Sequence, residues 1–547
     1  MKKLLAVLLA AMMAFSMAAC GGTADANTPA DGEAGTTQAK NVTVQIGTNP
    51  ETIDPALNSA IDGANMIITL FEPLLIVDEN GEVQPGQAES YTVSEDKLTW
   101  TFTLREGLKW SDGTDLTAED FVYSLNRVAD PATAAPYGET AVGMIDGYED
   151  AMAGTGKLNV TAKDARTLEI VLSYPCSYFD KMAAFATLSP VQKATVEANG
   201  DAWCTTAETF VCNGPYRMKD WVLGERIICE KNPNYVGGWD TAKIVTPEIS
   251  FLLMEDSVAS YTAYQNGEAQ LIKDVPTEEI PSLTKAEDGG DFYVDTIMGT
   301  YYLSMQTQKA PFNDPNVRKA LSLAIDRDYV ANTLMQGTYK PAYNLSGPGI
   351  KDVDGNDFMA KSVATIPTDY EESKKQAQEA LAAAGYPNGE GFPKITYSTN
   401  DAGYHKAVAE YLQSCYKEVL NIDMGVEVVE WASFTPLRRS GDYEMARNGW
   451  VMDYNDPSNM IELFSTDNGN NDGKVSIPAV DAAIKASRVG DKDVHYAELH
   501  KAEDAMMQDF AMIPLAYYAD FWLQAPELKG TWHSPYGYWY LQYAYVE

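Results

Sequence analysis

Positive charge is scarce in this chain. Its 547 residues carry 40 lysines and arginines against 78 aspartates and glutamates, a net charge of −38. So acidic a surface repels nucleic acid phosphates and anionic lipid headgroups, which excludes nucleic acid and bare membrane surfaces as partners. Histidine is nearly missing. Only His405, His495, His500 and His533 occur, none in an HExxH pattern, and His495 and His500 are five apart, the wrong spacing for a helical metal pair. No CxxC occurs, which removes the usual structural zinc patterns. Neither a metal nor another cofactor is expected. Catalytic signatures are lacking as well: there is no GxSxG elbow, no GxxxxGK[ST] loop and no GxGxxG turn. Carboxylates are so plentiful that no pair stands out for acid–base or glycosidase chemistry, so no enzyme is expected. After the first twenty residues no apolar run reaches the 18 or more that a membrane-crossing helix needs.

What is present begins at the N-terminus. Lys2 and Lys3 precede an apolar run from Leu4 to Phe15, and small residues lead into Cys20. This is the pattern of an export signal over 1–19. Met17-Ala18-Ala19-Cys20 resembles the bacterial lipobox, which implies a lipidated Cys20. The chain is then expected outside the cytoplasm, lipid-anchored to the outer face of the bacterial cytoplasmic membrane. Residues 21–40 have almost no large apolar side chains and read, with Cys20 and Asn41, as a flexible tether with a reach of roughly 25 Å.

The remaining cysteines are Cys176, Cys204, Cys212, Cys229 and Cys415, an odd number that cannot all pair within the chain. Cys204 and Cys212, within WCTTAETFVC, are the best disulfide pair. A body this long exceeds one core and requires two or three domains. Strand-like and helix-like stretches interleave along it, which predicts α/β domains. VTVQIG from Val42 and LTWTFTLR over 98–105 alternate like strands. Thr117 with Asp120 three residues on caps a helix ending near Val128. RIICEK from Arg226 is a strand stopped by Pro233. Helices are predicted over 314–335, 371–384, 479–489 and 494–510.

Aromatics make up 11% of the chain, and Tyr and Trp together (32 and 10) outnumber the 16 Phe, a balance suited to a wet interior cavity. Several segments resemble the family 5 extracellular solute-binding proteins, in particular the oligopeptide-binding lipoproteins of ABC transporters. They are FEPLLIVDENGEVQPGQAESY (71–91), the stretch from WTFTLREGLKWSDG to DPATAAPY (100–137), CNGPYRMKDWVLGERIICEKNPNY (212–235), TYYLSMQTQKAPFNDPNVRKALSLAIDRD (300–328), EWASFTPLRRSGDYEMARNGWVMDYNDPSN (430–459) and IPLAYY (513–518). The resemblance implies a three-domain α/β fold of the type II periplasmic-binding-protein kind, with two lobes closing over the ligand. Domain I would comprise 42–71, 198–298 and 520–547, domain II 72–197, and domain III 299–519.

The resemblance also assigns residues. Asp453, in GWVMDYN, would take the α-ammonium of an oligopeptide, the one charge nearly every peptide carries. Arg438, Arg447 and His405 would meet its carboxylate at different depths. Tyr137, Trp431, Trp450, Tyr454 and Tyr518 would line side-chain pockets. A monomer delivering peptide to ABC permease subunits is implied. Departures from the pattern are Ser304 and Met335, where relatives carry a glutamate and a lysine, and Gly299 with Val451, where they carry a disulfide. The same fold could instead take a dipeptide, an oligosaccharide, a nickel complex or haem. A surface hydrolase is the reading from another class.

Overall fold

Alternating apolar residues build two sheets, and the larger is the frame of the molecule. The computed structural model describes residues 39–400, 404–489 and 491–547, without the side chains of Trp431 and Ala432. The export signal, Cys20, most of the tether and the ring of Trp431 therefore lie outside the described residues.

Val42–Gln45 is a strand, as VTVQ predicts, lying parallel to Glu248–Leu252 on one side and Leu271–Ile272 on the other. Arg226–Lys231 and Tyr216–Val222 extend that end antiparallel. At the other end two long antiparallel strands, Met512–Gln524 and Phe292–Met305, carry the sheet onward. Met445–Val451, Ile395–Thr399 and Met424–Val428 follow, the last two parallel and joined through helix His405–Leu420. With the short Lys340–Pro341 this makes an 11-stranded sheet. Pairing between the long strands slips between Thr296 and Thr300, where four steps on one strand oppose two on the other. Such a bulge bends and twists a strand, so the sheet bends partway along its two longest members.

A second sheet of four antiparallel strands, Ala88–Val93, Thr99–Leu104, Thr167–Val171 and Val160–Ala162, has its own core. The TWTFTL alternation buries Trp100, Phe102 and Leu104 on one face. Helix Ala118–Val128 packs there through Phe121, Leu125 and Val128. It starts at Thr117, whose backbone N–H donates to the Asp120 carboxylate at 2.8 Å, the predicted cap. This body meets the main sheet where the Ser111 backbone N–H donates to the Cys212 carbonyl at 2.8 Å; beside it Gly214 passes so close to the helix Ile61–Leu70 that a Cβ would sit 2.5 Å from the Leu70 carbonyl carbon. The Asn213 side chain brackets the adjacent Glu72 backbone through two hydrogen bonds.

Two expectations fail. The helix predicted over 314–335 is broken: Pro315–Leu323 ends, and a new turn, Arg327–Tyr329, starts with Asp326 as its cap. The Arg327 guanidinium is buried there, donating to the carbonyls of Ser322 and Pro514. Those bonds outweigh helix continuity. The Cys204–Cys212 disulfide is also absent, since all five described cysteines are free and buried. Cys204 packs beside the Asp54–Arg127 ion pair, whereas Cys212 faces Ser111 and the Tyr216 carbonyl. Burial pushes their thiols up to about 11 and about 12, so both stay protonated and unreactive.

Candidate functional site

Met445–Val451 pairs with Phe292–Met305 along its whole length, but with Ile395–Thr399 only at Met445 and Ala446. From Arg447 onward its second edge pairs with no further strand among the described residues. An edge of this kind accepts an extended chain by adding a strand.

Asp453 stands just beyond the end of that edge. Its carboxylate is buried and accepts from the Tyr137 hydroxyl at 3.3 Å and the Asn459 amide at 3.2 Å, with the Tyr538 hydroxyl also in reach. Every donor is neutral. Burial raises its carboxyl from 3.8 to about 6, and those three hydrogen bonds hold it from rising further. Asn459 is held in turn: its side-chain oxygen accepts from the Trp450 indole at 2.8 Å and from the Asp453 backbone N–H at 3.2 Å. The adjoining cavity is lined by Lys181, Phe185, Tyr454, Tyr536, Tyr538 and Tyr540.

The three expected carboxylate-binding residues separate into two groups. Strand alternation puts Arg447 and Asn448 on opposite faces of the sheet. Arg447 donates to the Tyr518 hydroxyl at 3.1 Å and lies 5.4 Å over the Tyr301 ring. Gly449 makes room for this, because a Cβ there would collide with the Tyr518 hydroxyl. His405 also packs on Tyr301, with ring centroids 5.4 Å apart. Burial and the nearby Arg447 push its imidazole down to about 2, so it is neutral and offers a carboxylate one N–H but no charge. Arg438 belongs elsewhere. It bonds to Asn448 and pairs with Asp472 at 3.5 Å, a carboxylate of its own.

The body of the second sheet reaches this site. Tyr137 touches Asp453 as described, and its ring lies 6.4 Å from that of Trp450. Tyr178 stacks on Tyr454 at 5.0 Å and 10°. Lys181 donates to the Asn455 carbonyl at 2.5 Å. Of the expected residues, then, Tyr137, Trp450, Asp453 and Tyr454 come together, and Arg447, His405 and Tyr518 form a second group. Asn459, Lys181 and Tyr538 escaped the sequence reading. Asn459 ends the GWVMDYNDPSN stretch, and Tyr538 lies in the aromatic C-terminal run, so proximity to dense Tyr and Trp was the available signal.

A carboxylate buried where two separately cored bodies meet, beside an open strand edge, defines a protein that encloses a solute between lobes. Comparison with known proteins carries this further. Residues 82–472 match the family model for bacterial extracellular solute-binding proteins, family 5. The periplasmic oligopeptide-binding protein OppA of Salmonella typhimurium is 36% identical over 96% of this chain and 96% of its own length. The solved complex of Haemophilus influenzae OppA with the peptide RPPGFSPFR is similar at a TM-score of 0.82, with 30% identity over 93% of this chain and 99% of that one. The Escherichia coli murein tripeptide binding protein MppA reaches 0.82 with 31% identity over 93% and 99%, whereas the unliganded open form of MppA reaches 0.70 with 30% identity over 93% and 98%. The chain belongs to family 5 of the bacterial extracellular solute-binding proteins. Its arrangement is nearer the peptide complex than the open form.

Proposed function

We propose that this solute-binding protein captures oligopeptides outside the cytoplasm and delivers them to the permease of an ABC importer, without chemical change to the peptide. The observation that carries the reading is Asp453: a buried carboxylate given only neutral donors, at the end of an unpaired strand edge. A free α-ammonium completes it, and the peptide backbone extends along Arg447–Val451. The peptide carboxylate is received by Arg447, with His405 donating one N–H. Arg438 stays paired with Asp472 behind the strand and leaves the carboxylate to Arg447. Tyr137, Trp450, Tyr454 and Tyr518 bound the side chains.

Domain I (42–71, 198–298, 520–547) with domain II (72–197) forms one lobe and domain III (299–519) the other. The slip between Thr296 and Thr300 supports a hinge there, where the long strands pass between lobes. Closing is then a shift toward the state that binds peptide better. Anchoring rests on Cys20, whose acyl chains and tether keep a monomeric receptor near its permease. Changing Cys20 to Ser should release the protein from the membrane fraction, with peptide affinity unchanged. Retention on the membrane would refute the anchor.

Calorimetry with a free peptide and its N-acetylated form tests the reading. Acetylation removes the ammonium, and binding should weaken by roughly two orders of magnitude, the scale for leaving one partner of a buried charge pair alone. Peptides should be recovered intact from the same mixture. Equal binding of both forms would overturn the assigned polarity, and cleavage products would overturn the receptor reading.

A further inference from the structure

We infer that Asn459 is the positioning residue of the ammonium site, fixing Asp453 and Trp450 relative to each other. The inference rests on Asp453 being the ammonium partner. Asn459 is 5% exposed, and both ends of its amide are used. Its oxygen takes the Trp450 indole N–H at 2.8 Å and the Asp453 backbone N–H at 3.2 Å, while its nitrogen donates to Asp453 Oδ2 at 3.2 Å.

The consequence is geometric. With Oδ2 held by Asn459, the other oxygen, Oδ1, faces the Tyr137 hydroxyl from the second body. One oxygen is anchored within its own lobe and the other is turned toward the cleft. The indole of Trp450 is locked by the same amide, so the aromatic wall and the carboxylate move as one unit. Asn459 sits in the helical turn Ser458–Ile461, itself buried, which gives the amide a rigid base. Among the described residues, Asn459 alone hydrogen-bonds through its side chain to both Asp453 and Trp450.

The donor also favours the ionised carboxylate. The titratable and charged groups facing Asp453 are Tyr137 from the second body, Tyr538 from the C-terminal segment, and Lys181, Tyr454, Tyr536 and Tyr540 around the cavity. Lys181 is committed to the Asn455 carbonyl. Without Asn459, the phenols of Tyr137 and Tyr538 are the direct side-chain donors left among the described residues, and protonation of Asp453 moves toward neutral pH.

Calorimetry over pH 5–8 on wild type, Asn459→Ala and Trp450→Phe, each with a free peptide and its N-acetylated form, tests this. Asn459→Ala should lose roughly tenfold in affinity for the free peptide, the scale of one hydrogen bond to a charged group. Affinity for the acetylated form should stay the same, so the preference between the two narrows. The pH below which free-peptide binding fades should rise. Trp450→Phe, which keeps the ring but removes the indole donor to Asn459, should shift both readouts the same way by a smaller factor, and it serves if the alanine variant does not fold. Equal loss for both peptides, or an unmoved pH midpoint, would reduce Asn459 to a structural residue and overturn the inference while leaving Asp453 in place. A wild type with no preference for the free peptide would overturn both.

Discussion

Asp453→Asn should make the ligand-free protein more stable at pH 8 while weakening free peptides by roughly two to four orders of magnitude. The two effects share one cause. Folding moves the Asp453 carboxyl from 3.8 to about 6, because burial disfavours its charge. The folded state therefore holds the proton more tightly than the unfolded one, and this group's cost is absent below pH 3.8. As pH rises through about 6 the cost grows to roughly 3 kcal/mol. An asparagine escapes it. At about 2.1 cal/mol/K of unfolding entropy per residue, the melting midpoint gains up to about 3 °C at pH 8 and nothing at pH 4. Binding moves the other way, since an amide gives an ammonium no counter-charge, and an ammonium enclosed without its partner costs ~3–5 kcal/mol. Thermal melts and calorimetry on the same variant check both. A variant less stable than wild type at pH 8, or one binding free peptide as well as wild type, would contradict the account. An unpaired buried carboxylate is thus a stability cost at pH 8 that a cationic ligand offsets.

The place of Asp453 at the end of the strand edge is legible in the sequence because the GWVMDYN stretch is local. The strand Met445–Val451, the turn and Asp453 lie within ten residues, so a segment resemblance carries their geometry with it. The same holds for VTVQ, TWTFTL and the Thr117–Asp120 cap, where period and capping chemistry act between near neighbours. Long-range choices were not legible. Arg438 and Arg447 lie nine residues apart and looked equivalent, yet strand alternation and Asp472, thirty-four residues beyond Arg438, put Arg438 on the far face with its own carboxylate. His405 was read as a cation, and only burial beside Arg447 makes it neutral. The break in 314–335 depends on the Pro514 carbonyl, far along the chain, drawing Arg327 inward. Cys204 and Cys212, close in sequence, are held in different surroundings by Asp54 and Ser111.

His495→Leu should cost about 3 kcal/mol of stability, the low end for breaking a buried ion pair, and loosen closure of the second body on the first. The His495 ring has Nδ1 2.9 Å from the Ser487 carbonyl and Nε2 3.0 Å from Asp456 Oδ1. Both partners only accept, so both nitrogens donate and the ring is an imidazolium. Burial opposes that charge, but the Asp456 carboxylate outweighs it and raises the imidazole, while His495 in turn helps hold Asp456 below the usual carboxylate range. On the cleft side Tyr178 lies 5.9 Å from this ring and stacks on Tyr454, next to Asp453. The sign follows from the raised imidazole: its contribution is complete below the unfolded value of 6.5 and is lost as pH rises through the higher folded value. Asp456 works oppositely, contributing above 3.8 and losing its part as pH falls through its lowered value. The pair is therefore strongest between those limits and weakens on the alkaline side. Asp453 and Glu72, whose carboxyls burial pushes up to about 6 and about 7, also cost stability as pH rises, so the difference between variant and wild type is what isolates His495. Above pH 6.5, melting midpoints should fall less steeply with rising pH in His495→Leu than in wild type, and peptide affinity should fall in the variant because Tyr178 loses the surface that seats it. A variant whose midpoint tracks wild type across that range would remove His495 from the closure contact.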